Sequence, residues 1–134
     1  MKVLLSIKPE YVELIFNGSK RFEYRRSIFK NKDIKTVIVY STLPVGKIVG
    51  EFEIDEILEN NPRTIWKKTK DYSGVQESFY DEYFSGREKA FAIKISSTKK
   101  YVQEICPYTQ LNNFTAPQSF MYAKEELLKI ADVS

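Results

Sequence analysis

The sequence predicts an α+β fold, a small mixed β-barrel of five to six short strands with two to three peripheral helices. Three observations carry this reading. Short alternating or β-branched stretches recur along the chain. Stretches of helical periodicity, bounded by proline or glycine, separate them. The 134 residues, 43% hydrophobic and 29% charged, suffice for one domain that buries a core without disulfide or metal.

Residues 3–7 are apolar-rich and read as the first strand. Pro9 suits the first position of a helix, where its missing N–H costs nothing. Val12, Ile15 and Phe16 give that helix a buried stripe. Gly18 stops it, since glycine takes the left-handed conformation without steric cost. Residues 21–25 alternate as a second strand, with Phe22 and Tyr24 on one face and Glu23 and Arg25 on the other. A basic loop over 27–35 holds Phe29. Residues 36–41, Thr-Val-Ile-Val-Tyr-Ser, read as a central strand buried on both faces. Leu43-Pro44-Val45-Gly46 is turn chemistry.

Over 47–57, Phe52 and Ile54 alternate with Glu51, Glu53 and Asp55, which predicts a long strand with one polar face. Its acidity makes the basic second strand a natural neighbour. Asn61-Pro62 opens a helix to about Lys70, packed through Ile65 and Trp66, and Tyr72-Ser73-Gly74 breaks it. Residues 76–85 form another helix, stopped by Gly86, and its Phe79, Tyr80, Tyr83 and Phe84 read as core rather than as a stacking platform. Residues 90–95 are again a strand. After Tyr101 come an edge strand over 102–108 limited by Pro107, a loop over 110–115, a short strand at 120–122 and a helix over 123–131. The domain core thus covers about 1–122, with 123–134 as a C-terminal helix or tail.

One cysteine and no histidine exclude an intramolecular disulfide, Cys/His zinc sites and Ser-His or Cys-His catalytic pairs. No metal or cofactor is expected, and proton transfer falls to Lys, Glu, Asp, Tyr or water. Cys106 reads as a small buried hydrophobe. The N-terminal apolar run is too short for a signal peptide, and none approaches the roughly 20 residues of a membrane span. A cytoplasmic protein is expected, and a monomer. The net charge of +3 is mild but unevenly placed. Residues 20–35 carry seven Lys/Arg against two acids, while 51–59 carry five acids and no base. The basic segment suits a phosphate-bearing ligand, and equally a solvated surface neutralised across the fold.

The stretch from Gly18 to Arg25 reads G-x-K-x-x-E-x-R and joins a helix stop, a lone lysine and an alternating strand. It resembles the signature of the ASCH domain family, within the PUA-like superfold. Leu4-Leu5-Ser6-Ile7-Lys8-Pro9, residues 49–54, residues 83–90 and Pro117-Gln118-Ser119-Phe120 resemble further blocks of small stand-alone members. The resemblance implies a PUA-like barrel, a cleft lined by Lys20, Glu23 and Arg25, and RNA, a nucleotide or a modified base as ligand. Arginine forks two hydrogen bonds to phosphate or a base edge, glutamate accepts from an exocyclic amino group, and lysine supplies a mobile charge. Tyr24, Tyr80, Tyr83, Phe120 and Trp66 are candidate stacking residues. Ser6 and Lys8, next to the signature in chain order, and Gln118 and Ser119 are further ligand-binding candidates, with capping and turn chemistry as the alternative.

Three functions fit. The first is a binding module for RNA or a nucleotide. The second is a hydrolase acting on N4-acylated cytidine or RNA, with Lys20 and Glu23 catalytic. One branch similar in signature is an N4-acetylcytidine amidohydrolase whose nucleophilic threonine stands where Glu23 stands here, and another is ribonuclease-like. The third is a regulatory protein-interaction domain in which Lys20, Glu23 and Arg25 form a structural ion network. Under the binding reading Arg25→Ala weakens a ligand and leaves stability nearly unchanged; under the structural reading it costs stability.

Overall fold

The computed structural model describes residues 1–134. Its elements in chain order are β1 (Lys2–Ile7), α1 (Pro9–Phe16), β2 (Phe22–Arg25), β3 (Thr36–Ser41), β4 (Lys47–Asn60), α2 (Pro62–Thr69), a 3-10 turn (Lys70–Tyr72), α3 (Glu77–Tyr83), β5 (Ala90–Ile105), α4 (Pro107–Gln110), β6 (Phe120–Tyr122) and α5 (Glu125–Asp132). The six strands form one sheet in the order β2-β5-β4-β3-β1-β6. Only the β1–β3 pairing is parallel. The other neighbours run antiparallel. Register shifts in β4 on either side of Ile54 and between Ile48 and Gly50 bend this strand, as bulges do, and help the sheet curl into a half-barrel.

The expected α+β fold is present, the small mixed barrel taking the form of one curled six-stranded sheet, and β3 is buried along its whole length. Asn61 caps α2 as its sequence predicts, its Oδ1 accepting from the Thr64 N–H at 2.9 Å. Three expectations are corrected. The acidic β4 does not pair with β2, because β5 lies between them. The strands expected at 90–95 and 102–108 are one 16-residue strand, β5. Its middle, Ser96–Lys100, is exposed and polar, so no alternation marks it as strand, yet it is held by pairs such as Glu51 with Lys99 and Phe52 with Thr98. Cys106 is half-buried rather than buried and precedes α4, where Pro107 opens a helical turn rather than trimming an edge strand.

Three apolar clusters hold the layers. One, with Val3, Leu5, Val37 and Phe52, joins α1 to the inner face of the sheet. A second joins Leu4, Ile38 and Ile105 to Leu127 and Ala131 of α5. The third sets Ile65, Trp66, Tyr80 and Phe84 against Phe22, Tyr24 and Ala92, and so fixes α2 and α3 over β2 and β5. No helix is long and apolar enough to cross a membrane.

Gly50 lets Phe16 of α1 lie directly on β4. A Cβ there would stand 2.5 Å from the Lys99 carbonyl oxygen and 2.6 Å from Phe16 Cζ. The carbonyl belongs to the ladder and has no room to retreat. Gly50→Ala is therefore expected to cost about 1–3 kcal/mol, the range for overpacking, read as a lower urea midpoint at unchanged m-value. An unchanged midpoint would mean that α1 does not press on β4.

Candidate nucleotide-binding site

The end of α1 aims Lys20 inward. The Asn17 N–H donates to the Glu13 carbonyl, Gly18 turns the chain at φ +86°, and the Lys20 N–H reaches back to the Leu14 carbonyl at 3.0 Å. The side chain then runs beneath the turn after the 3-10 segment and is 2% exposed. Its Nζ donates to the Ser73 carbonyl at 2.6 Å and lies 4.8 Å from the Tyr24 ring centre and 5.5 Å from that of Tyr11. Gly74 makes this path possible: with φ +68°, it would place a Cβ 2.7 Å from the Lys20 stem. Lysine has three N–H donors, and protein oxygen takes one. No carboxylate lies within ion-pair distance of it. Burial pushes its pKa down to about 8, against the raising effect of Glu23.

Glu23 and Arg25 share one face of β2 and are each 7% exposed. Arg25 donates from Nε at 3.1 Å and from Nη2 at 2.8 Å to Glu23 Oε2. Nη2 also donates to the Ser6 carbonyl at 2.8 Å, and Nη1 to the Ser119 carbonyl at 3.3 Å. Four of its five N–H bonds are therefore spent. Ser6 follows the same pattern, its Oγ donating to the Pro117 carbonyl at 2.7 Å. Every fully buried side-chain polar atom has a partner. Glu23 Oε1, which has none, is therefore reached from the cavity.

That cavity has a volume of about 230 Å³, near the lower bound of about 300 Å³ for small-ligand clefts. Ser6, Lys8, Lys20, Glu23, Tyr24, Arg25 and Gln118 all reach it. Ser119 does not, and lines an adjoining cavity instead. Of the stacking candidates, Tyr24, Tyr80 and Tyr83 line the cavity. Trp66 belongs to the core against Tyr80, and Phe120 packs on Phe29. Tyr11 and Phe79, which no sequence signal marks for a site, also line it. Phe79, expected in the core stripe, is 37% exposed, stacks on Tyr83 and sits beneath Lys8. Its neighbours Tyr80 and Phe84 are core as expected.

The cavity therefore has an aromatic rim and a polar floor. The Tyr24 hydroxyl bonds Thr69 Oγ1 at 2.7 Å, and burial pushes its pKa up to about 12. Burial and the Glu10 and Glu23 carboxylates also raise the Tyr11 pKa. Both phenols stay neutral donors near pH 7. Nowhere do three His, Cys, Asp or Glu side chains converge as metal ligands would.

Two predictions come from this geometry. Removing Arg25 leaves Glu23 buried beside unpaired carbonyls, so Arg25→Ala is expected to cost about 3–5 kcal/mol in urea melts. Adding Glu23→Leu should recover part of that loss; no recovery would mean that the carbonyl bonds, not the ion pair, carry the effect. Lys20 titrates lower folded (about 8) than unfolded (10.5). Between these values the unfolded chain binds the extra proton, so stability rises with pH. Lys20→Met removes this dependence. The stability of wild type relative to Lys20→Met is expected to rise from pH 8 to pH 9.5, below tyrosine ionisation in the unfolded chain. A flat difference would mean an unperturbed Lys20.

The family model described as ASCH domain matches residues 5–99 of this chain. The ASCH domain-containing ribonuclease of Zymomonas mobilis is 29% identical over 140 residues, covering 99% of this chain and 92% of that protein. The crystal structure of the ASCH protein from Zymomonas mobilis superposes with a TM-score of 0.89 at 26% identity, over 98% of this chain and 94% of that one. The N-terminal domain of Staphylothermus marinus McrB shares the fold at 10% identity, with a TM-score of 0.62 over 98% of this chain and 92% of that one. The large ribosomal subunit protein uL22 of Ureaplasma parvum is 28% identical over 91% of this chain, which spans 39% of that protein's length. A match over residues 5–99, agreeing with the fold and with the Lys20–Arg25 stretch, means that the chain belongs to the ASCH domain family.

Proposed function

We propose that this protein binds RNA and takes one nucleotide into the cavity above Lys20 and Glu23. The observation that carries this reading is the pairing of unspent groups in one small cleft. Lys20 has two N–H donors without a protein partner, and Glu23 Oε1 is an acceptor without one. A planar base with an exocyclic amino group satisfies both kinds of group, donating to Glu23 and accepting from Lys20. Phe79, Tyr83 and Tyr11 line the same cavity and supply aromatic surface for such a base. Arg25 acts mainly through the fold, because most of its donors are spent.

A second reading, cleavage of the bound RNA, is favoured by the depressed pKa of Lys20 and by the ribonuclease among the relatives. In this reading the phosphodiester, rather than the base edge, lies between the two groups, and the 2′-oxygen attacks phosphorus as Glu23 Oε1 takes its proton. The bond from phosphorus to the 5′-oxygen breaks, and Lys20 protonates the departing oxygen. The products are a 2′,3′-cyclic phosphate and a 5′-hydroxyl. A lysine titrating near 8 suits the acid role near neutral pH.

The test is a labelled single-stranded RNA titrated with wild type, Lys20→Met and Glu23→Gln. Lys20→Met is expected to weaken binding at least tenfold without lowering the melting temperature. Under the cleavage reading both variants lose the cyclic-phosphate product, and Glu23→Gln still binds. Unchanged affinity in Lys20→Met would remove the cavity from RNA binding.

A further inference from the structure

A second cavity of about 290 Å³ opens beside the first and shares Arg25, Arg26, Tyr83 and Gln118 with it. Its own lining adds Ser27, Arg87 and Ser119. Its chemistry differs from that of the first. No carboxylate lines it, and of its seven residues three are arginines. Arg25 is committed to Glu23 and to two carbonyls. Arg26 and Arg87 form no ion pair, although seven such bridges exist elsewhere in the molecule.

Arg26 is fixed through its side chain and Arg87 through its backbone. Arg26 follows the last residue of β2, and its guanidinium lies 4.6 Å from the centre of the Tyr83 ring, a cation–π contact that anchors it to α3. Arg87 follows the stop of α3, where Gly86 turns at φ +76° and the Arg87 N–H donates to the Phe84 carbonyl at 2.9 Å. Two unpaired guanidinium groups around one polar hollow match the oxygen pattern of a phosphate, which takes forked N–H donors. Tyr83 is the hinge of the arrangement. Its ring carries Arg26 and stacks on Phe79, and it borders both cavities.

We propose that this second cavity binds the phosphodiester adjoining the nucleotide held in the first, so that the ligand is a single-stranded RNA chain and not a free nucleoside. The inference rests on the nucleotide-binding reading of the first cavity. It adds the path of the strand, from the Lys20 cleft past Tyr83 to Arg26 and Arg87.

The probe is a fluorescein-labelled RNA octamer with 2′-fluoro groups, which lacks the attacking hydroxyl and stays intact. Its affinity is measured by anisotropy from low to moderate salt for wild type, Arg87→Gln and the double variant Arg26→Gln/Arg87→Gln. Arg87→Gln is expected to bind about tenfold more weakly, as loss of one charged hydrogen-bonding group does. In the double variant the slope of log affinity against log salt becomes shallower by about 0.7 for the one phosphate released. Both side chains are exposed and free of ion pairs, so melting temperatures should stay near wild type. Equal affinity and slope in all three proteins, with the octamer still bound, would overturn the second cavity and leave the first. Failure of wild type to bind the octamer at all would overturn both. Displacement of the octamer by polyglutamate as effectively as by unlabelled RNA would also overturn the proposal, since the cavity would then select charge and not a nucleic-acid strand.

Discussion

The Glu23–Arg25 pair closes the seam of the sheet. In the order β2-β5-β4-β3-β1-β6, β2 is one edge and β1 lies next to the other. Curling brings these ends together, but no backbone ladder joins them. Arg25 supplies the bonds that a ladder would have made, to the Ser6 carbonyl at the end of β1 and to the Ser119 carbonyl just before β6. On the far side of that gap, Ser6 Oγ donates to the Pro117 carbonyl and so ties β1 to the segment that leads into β6. A buried guanidinium is tolerable only with its charge matched and its donors filled. Glu23 Oε2 does the first, and the carbonyls complete the second.

This constraint divides the labour among the three signature residues. Arg25 and one oxygen of Glu23 are committed to the fold. Lys20 and the other oxygen are not. The lysine is buried without a carboxylate, an arrangement that stability alone does not favour. It is held by one carbonyl and two aromatic faces, and its stem is admitted by a glycine at 74. Burial against a merely structural background would have been met more cheaply by leucine or methionine. A buried ammonium at a cavity wall, with two donors free of protein partners, is the arrangement expected where a ligand completes the coordination.

Much of this was legible in the sequence because it depends on local chemistry. The alternation of Phe22, Glu23, Tyr24 and Arg25 puts the ion pair on one face of β2 whatever β2 pairs with. Asn61-Pro62 and Gly18 mark helix ends by the same local logic. What escaped depends on partners far along the chain. The neighbour of β2 is decided by packing between α2, α3 and β5, so charge matching with β4 misled. The continuity of β5 through Ser96–Lys100 comes from its ladder with β4, to which polar residues contribute through the backbone alone. Phe79 and Tyr80 are adjacent on one helix, yet one faces solvent at the cavity mouth and the other the core. Helical spacing groups them, and only the tilt of α3 over the sheet separates them. The Ser73 carbonyl that holds Lys20 leaves no trace in side-chain pattern, since any residue carries a carbonyl.

Seam and cavity are one construction. The floor of the cavity is the inner face of the seam, with Glu23 Oε2 turned to Arg25 and Oε1 turned to the hollow. Lys20, held from behind by the Ser73 carbonyl, and Val75 form one wall, and α3 forms the rim. A ligand spanning Lys20 and Glu23 Oε1 therefore ties the helical layer to both sheet edges at once. Anything that binds only this closed arrangement adds its binding free energy to closure of the barrel. The open edge of the sheet at β2 is what lets a polar cleft reach the interior, and the Arg25 bonds across the seam stand in for the missing ladder.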